Sequence, residues 1–526
     1  MSAPKTFVRD ATGLVRSFSW YDAFLISFSV VNSGILSYSL ALIVPLGSSY
    51  PGADMVNSLH IGLLFSIPLA ITYSLLAMSM PRSGGDYVWI SRTMSPIIGF
   101  MAGWAFWLSA LLLTGTGMYV TPTVLLPVFF ASFGYATGNS SLLSLATAVA
   151  TPSNVLIVGT VVGIFATAIG SFGARTFRYI TSLLMILMFA STAVCVGVFA
   201  TSTHLDFVNA LNGYGGTNMT YAGILSSAKS AGWNFVPNSM SVTFLSVPYA
   251  VLVFLGYNYS AAAAGEVKRV RSSISIAIIG SLIVGWVVNA VAAFATVNTL
   301  GYPFVQAVYF SGTTWPLVAP PWPPMLASVL IGNNIPLLVV LQVGWATSFL
   351  FSCVGYLLVA TRYVFAFSFD RVFPVKLSDI NDRFHFPLKA SALNFVLSMT
   401  FLVITVYTSW LTSLLNSTAI VALVWAIGSV PAILLPFKNK EVVATLPGAK
   451  WKVPFIAIIG AASAVLNFVV FYFALAIPGV GPSTPQSDAV LAGVFVSGPV
   501  FYAIRYRYLR GKGIDLKLAF AQLPPE

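Results

Sequence analysis

No charged residue occurs between Arg92 and Arg175, and none between Arg271 and Arg362. An apolar run of about 20 residues is enough to cross the hydrocarbon core of a bilayer as a helix, and each gap holds at least two such runs. Soluble domains carry about 25% charged residues. Here the share is 7%, with 58% hydrophobic residues. No soluble core hides that much apolar surface, so the chain reads as an all-α polytopic membrane protein with the lipid bilayer as its solvent. In that solvent a span must satisfy its backbone groups within its own helix, which makes any interruption of a span informative.

Hydropathy predicts twelve spans, near 22–46, 58–80, 95–120, 153–172, 178–201, 241–265, 274–298, 335–361, 388–410, 413–437, 453–478 and 487–507. The net charge of +12 then reads as topology rather than as a nucleic-acid signal. With these spans, every Lys and Arg except Lys229 falls on one side. The positive-inside rule makes that side the cytoplasm and places both termini there, with the plasma membrane as the expected location. Met1 to Trp20 shows no cleavable signal pattern, so the first span is expected to act as its own insertion signal. Cys195 and Cys353 fall within spans and imply neither a disulfide nor a metal site. The outer loops 121–152, 202–240 and 299–334 are too long for simple turns and are expected to hold short helices. Asn139 and Asn218 open glycosylation sequons, a frequent chance match.

Two spans are interrupted at mid-depth, by Asn32-Ser33-Gly34 and by Leu255-Gly256-Tyr257-Asn258. Gly and Asn are poor helix formers that tolerate unusual backbone angles. One reading is a pair of broken helices whose freed backbone groups bind a ligand at the membrane centre. The other is close packing of helices through small residues. The two spans run in opposite directions, as an inverted repeat requires.

No phosphate-binding Gly-x-x-x-x-Gly-Lys-Ser/Thr occurs, which argues against ATP-driven transport, and His-Glu-x-x-His and Gly-x-Ser-x-Gly are also missing. The chain is not expected to be an enzyme or to need a cofactor. The loop Pro81-Arg82-Ser83-Gly84-Gly85-Asp86-Tyr87-Val88-Trp89-Ile90-Ser91-Arg92 reads physically as a tight cytoplasmic turn. It resembles the signature of the amino acid/polyamine/organocation (APC) permease superfamily. Asn32-Ser33-Gly34-Ile35, Gly103-Trp104 with Trp107, Phe254 to Asn258 with Gly265 to Lys268, and Arg362-Tyr363 through Asp370-Arg371-Val372-Phe373-Pro374 resemble further segments of that family.

The resemblance implies a five-plus-five inverted repeat (LeuT-like) with broken helices 1 and 6, plus two extra helices. On that basis residues 1–21 form a cytoplasmic segment, 22–201 the first repeat, 202–240 an extracellular loop and 241–437 the second repeat. Residues 438–507 carry the last two spans and 508–526 a cytoplasmic tail. The implied activity is secondary transport of amino acids. Asn32 replaces a glycine usual in the family, and Asn258 stands where many members have glutamate. Leu187-Met188-Phe189 lies where some proton-coupled members carry a lysine. These departures weaken a proton-coupling argument taken from the family.

A zwitterionic amino acid suits such breaks. Its carboxylate fits the N–H groups around Ser33, Gly34 and Ile35, beside Asn32, where a half-helix dipole is positive. Its ammonium fits carbonyls of Ser29 to Val31 and Val253 to Leu255. Phe254, Tyr257 and Trp107 are candidate contacts, with ordinary packing as the alternative, and Gly256 and Asn258 complete the candidate set. Asp22 and Glu266 sit at cytoplasmic span ends and no carboxylate is expected at mid-depth, which favours neutral substrates. Concentrating a neutral substrate requires an ion gradient, sodium or proton, or exchange. A sodium site would use the backbone near Val30 and the hydroxyls of Ser348 and Ser352, one turn apart, unless those hydroxyls bond back to their own helix. A transporter-like sensor is the competing class; the short tail after Arg507 argues against it. A channel fits less well, because a central broken-helix site implies alternating access.

Overall fold

The computed structural model describes residues 14–31, 50–310, 312–408, 414–444, 446–476 and 485–520. The regular elements among them are helical, with two isolated bridges, Phe18 to Val267 and Asn381 to Phe386. The first helix, α1, is described over Trp20–Val31. Asn32, Ser33, Gly34 and Ile35 lie outside the described residues, so the first predicted break does too.

Ten described helices are long and apolar enough to cross a membrane. In chain order the elements used below are α2 (Met55–Ser79), the short α3 (Asp86–Thr93), α4 (Pro96–Thr137), α5 (Pro152–Ser171) and α6 (Ala174–Thr201). They continue with α7 (Val247–Val253), α8 (Val270–Leu300), α9 (Ile335–Phe369), α10 (Leu388–Tyr407), α11 (Leu414–Lys438), α12 (Phe455–Ala476) and α13 (Pro485–Gly511).

Two spans run on past their expected ends, and a third is interrupted as expected. The span expected to end at 120 runs on to Thr137 through a π-turn at Thr121–Leu125. Pro122 lies in that turn and has no N–H for the regular ladder, which the wider turn absorbs. The span expected to end at 361 reaches Phe369. The expected span 241–265 is not one regular helix but Met240–Leu245, α7 and a 3-10 segment Tyr259–Glu266. The outer loops do carry short helices, among them His204–Leu211, Tyr221–Ser230 and Pro323–Ile331. Asn139 of the first sequon caps Ser140–Ala148 by accepting from the N–H groups of Ser141 and Leu142.

The centre is built around α9, which touches α1, α4, α5 and α6. Small residues permit the approach. A Cβ on Gly344 would stand 2.2 Å from the Leu187 carbonyl oxygen of α6, and one on Gly62 2.6 Å from Ala250 Cβ of α7. At the edge, α13 is 11% buried over its most apolar window, against 72% for α4. Ile157, Val161, Ile164 and Phe165 form an exposed apolar stripe on α5, a surface that suits lipid rather than water.

Candidate functional site

After α7 the hydrogen bonds shift from the i−4 to the i−3 pattern. Phe254 N–H donates to Val251 O (3.1 Å), Leu255 N–H to Leu252 O (3.0 Å), and Tyr259 N–H to Gly256 O (2.9 Å). Gly256 has φ +102°, a conformation that L side chains rarely adopt. A Cβ there would lie 2.0 Å from Val30 Cγ1 and 3.2 Å from the Val30 carbonyl carbon. On the opposite side, a Cβ on Gly355 of α9 would lie 2.2 Å from Ser29 Oγ. Ser29 and Val30 are thus held between the interrupted segment and α9. Ser27 Oγ adds a tie, donating to Ser260 Oγ (2.9 Å) and accepting from Ser260 N–H (3.1 Å).

The structure therefore brings Ser29, Val30, Gly256 and α9 into one place. Phe254 is buried in the same turn. Tyr257 is turned toward α2 and α11: its hydroxyl donates to Ser66 O (3.1 Å) and its ring lies 5.9 Å from Trp425. Trp107 is engaged in packing, its indole N–H donating to Asn394 (2.9 Å) and its ring 5.2 Å from Trp104 and 5.6 Å from Phe373. Ser348 donates to Trp345 O of its own helix at 2.7 Å. Ser352 and Met188 are buried. Among the described residues no cluster of three or more His, Cys, Asp or Glu is arranged to hold a metal ion.

Asp86 is the residue that sequence reasoning missed. The signature loop folds inward rather than lying at the surface. Gly84 N–H donates to Ala262 O (2.9 Å), and Gly85, at φ +52°, lies so close that a Cβ would be 3.2 Å from Ala262 Cα. Asp86 then opens α3 fully buried, at 1% exposure. Tyr73 donates to Asp86 Oδ2 (3.1 Å) and Tyr363 to Oδ1. Burial pushes the carboxyl up to about 6, against the partly offsetting hydroxyl bonds. The available signal was that no other acidic residue lies between Asp54 and Asp206, and that this one follows two glycines. Asp86, Tyr73, Phe106, Asn258, Tyr259 and Tyr363 line a void of about 10 Å³. Asp86 thus adds a buried carboxylate that lies outside the candidate spans.

The other buried acids are neutralised. Asp22 accepts both Arg178 Nε (2.6 Å) and Nη2 (2.5 Å), joining α1 to α6. Glu266 accepts Arg362 Nε and Nη2, each at 2.7 Å, joining the 3-10 segment to α9. Asp370 accepts Arg92 Nη2 (2.8 Å) and the Tyr87 hydroxyl (2.7 Å). Two family-like segments far apart in the chain, the Gly-Gly-x-Tyr loop and the Asp-Arg-Val-Phe-Pro loop, thus meet at one carboxylate. Backbone bonds from Phe18 N–H to Glu266 O (3.0 Å) and from Lys268 N–H to Phe18 O (2.8 Å) fasten the segment before α1 to the same region.

The chain is similar in sequence to known permeases and transporters. A Schizosaccharomyces pombe protein described as an uncharacterized amino-acid permease is 26% identical over 380 residues, 68% of this chain and 60% of the relative. The branched-chain amino acid permease BcaP of Lactococcus lactis subsp. cremoris is 23% identical over 355 residues, 64% of this chain and 66% of the relative. The polyamine transporter PUT1 of Oryza sativa subsp. japonica is 30% identical over 88 residues, 17% of this chain and 15% of that protein. The matched regions span less than two thirds of each of these relatives. A family profile described as amino acid permease matches residues 18–498, across the signature loop, the interrupted segment and the Asp370 loop, and the chain belongs to that family.

Proposed function

We propose that the chain is a secondary active transporter, a permease and not an enzyme, that moves neutral amino acids across the plasma membrane by alternating access. The observation that carries this reading is the interrupted segment 254–258 pressed against Ser29 and Val30 through Gly256. A helix interrupted at that depth releases backbone donors and acceptors where a zwitterion needs both. Ten helices are long and apolar enough to cross a membrane; if α1 and the interrupted segment 240–266 also cross, the count reaches the twelve of a five-plus-five repeat with two extra helices. The basic residues gathered on one side support cytoplasmic termini.

Neutral substrates fit the charge distribution. Asp22, Glu266 and Asp370 each hold an arginine. Asp86 does not, but its void of about 10 Å³ is large enough for one water molecule at most and not for an aminoalkyl or guanidinium group. The similarity to BcaP, named as a branched-chain amino acid permease, also favours uncharged side chains.

The test is counterflow: proteoliposomes preloaded with each amino acid in turn and assayed for uptake of the same labelled compound. Exchange of neutral amino acids and not of lysine, arginine or polyamines is expected. Binding without flux would convert the reading to a sensor of the same fold, and exchange of polyamines would remove the neutral preference. Replacing sodium with choline addresses the sodium site. Sodium-dependent uptake lost in Ser348→Ala and Ser352→Ala would support an ion at Val30, Ser348 and Ser352. Sodium-independent uptake unchanged in both variants would eliminate it.

A further inference from the structure

Among the described residues four acids are buried: Asp22, Asp86, Glu266 and Asp370. Three hold an arginine, and Asp86 forms no ion pair. A buried carboxylate without a cation is costly and tends to take up a proton instead. The groups that face Asp86 are all uncharged at neutral pH. They are the Tyr73 hydroxyl from α2, Phe106 from α4, Asn258 and Tyr259 from the interrupted segment, and Tyr363 from α9. From α11 the approach is made by Gly428, where a Cβ would be 3.6 Å from Asp86 Cβ. No Lys, Arg or His lines the void, and Arg92, the other charged residue of its helix, is held by Asp370.

Two polar atoms at the same void have no partner: Asn258 Oδ1 and the Tyr259 hydroxyl oxygen. Both residues are at least nine-tenths buried, at 3% and 1% exposure. Buried polar atoms are rarely left unpaired unless a ligand or water serves them. The void accepts one water at most.

We infer that Asp86 is a proton-binding site that couples substrate movement to protons, with Asn258 Oδ1 as the acceptor for the carboxyl O–H. In the ionised state one water in the void donates to the carboxylate and accepts from Tyr259. A hydronium ion then gives its proton to an Asp86 oxygen and leaves as water, and the new O–H turns to Asn258. Release is the reverse step, so atoms and charge balance and the tyrosines keep their protons. The raised carboxyl, at about 6, allows both states near physiological pH. Asn258 lies two residues from Gly256, which rests on Val30, so the hydrogen bond that forms on protonation belongs to the same short turn as the candidate substrate site. A zwitterion brings no net charge, and the proton supplies the charge on which membrane potential acts.

The inference rests on the transporter reading, and the experiment separates the two. The full chain is reconstituted with a pH-sensitive dye inside the vesicles, and counterflow first identifies an exchanged neutral amino acid. One proton per substrate lets an inward gradient of about one pH unit sustain about tenfold accumulation, one factor of ten matching the other. The expected result is tenfold accumulation with substrate-dependent acidification of the lumen in the wild type, and neither in Asp86→Asn. Asp86→Glu should recover proton entry. If Asp86→Asn does not fold, Tyr73→Phe carries the test. It removes one of the two hydroxyls that stabilise the ionised form, so the midpoint of pH-dependent uptake moves to higher pH. Accumulation and proton entry unchanged in Asp86→Asn, or an unmoved midpoint in Tyr73→Phe, would overturn the inference. So would a wild type that exchanges substrate but neither accumulates it nor acidifies the lumen. A wild type that exchanges no amino acid strikes the transporter reading, and the proton site falls with it.

Discussion

Replacing Gly256 with alanine puts the smallest possible side chain where the interrupted segment meets α1. Two costs arise. The backbone at φ +102° must be kept by a residue that avoids it, at about 1–3 kcal/mol. The new Cβ lies 2.0 Å from Val30 Cγ1 and 2.3 Å from Val30 Cβ, an overpacking that costs about 1–3 kcal/mol. Together they oppose the close approach by about 2–6 kcal/mol, or about 30-fold in affinity at the least, since each 1.4 kcal/mol is about tenfold. The loss should appear in substrate affinity, measured by radioligand binding to purified protein whose thermal unfolding confirms a folded state. Adding Val30→Ala should not rescue Gly256→Ala, because Val30 Cβ at 2.3 Å remains. Adding Val30→Gly should recover part of the loss, leaving the backbone strain. Gly280→Ala is the control: its Cβ would meet Phe24 at 3.8 Å, an ordinary contact, and affinity should not change. A folded Gly256→Ala protein with wild-type affinity, or full rescue by Val30→Ala, would refute the assignment of the site to this contact.

Arg362→Met leaves Glu266 buried without a cation and should lower stability by about 3–5 kcal/mol, read as a fall in thermal midpoint; the double variant with Glu266→Gln should recover most of it. Asp86 gives a pH signature of opposite sign to the usual acid. Its carboxyl stands at about 6 in the fold against 3.8, so the native state binds the proton more tightly, and stability falls as pH rises through that window. The penalty, about 3 kcal/mol from the shift, is complete above the folded value, so Asp86→Asn should be the more stable protein at neutral pH. Its advantage should fade toward pH 4, and an advantage constant across the window would contradict the burial argument. For topology, Lys440→Cys in intact cells should resist an impermeant thiol reagent added outside, and labelling there would reverse the orientation.

The membrane class and the positions of most spans were legible because hydropathy is local: ten helices stand where apolar runs predicted them. The interruption at Leu255 to Asn258 was legible for the same reason, since Gly and Asn alter the backbone wherever they occur. Side-chain roles were not. Trp107 looked like a candidate contact, but Asn394 takes its N–H, and that partner comes from a distant helix. Ser348 offered two readings, and the fold gives its hydroxyl to Trp345. Asp86 drew no role from the sequence because it sits in a stretch that reads as a tight cytoplasmic turn. Its burial comes from Ala262, Tyr363 and Gly428, brought around it by three separate elements. Sequence by itself determined what each segment can tolerate, namely lipid, helix or interruption. The tertiary structure alone decided which buried polar groups meet a partner, because desolvation and pairing depend on neighbours that the chain supplies from far away.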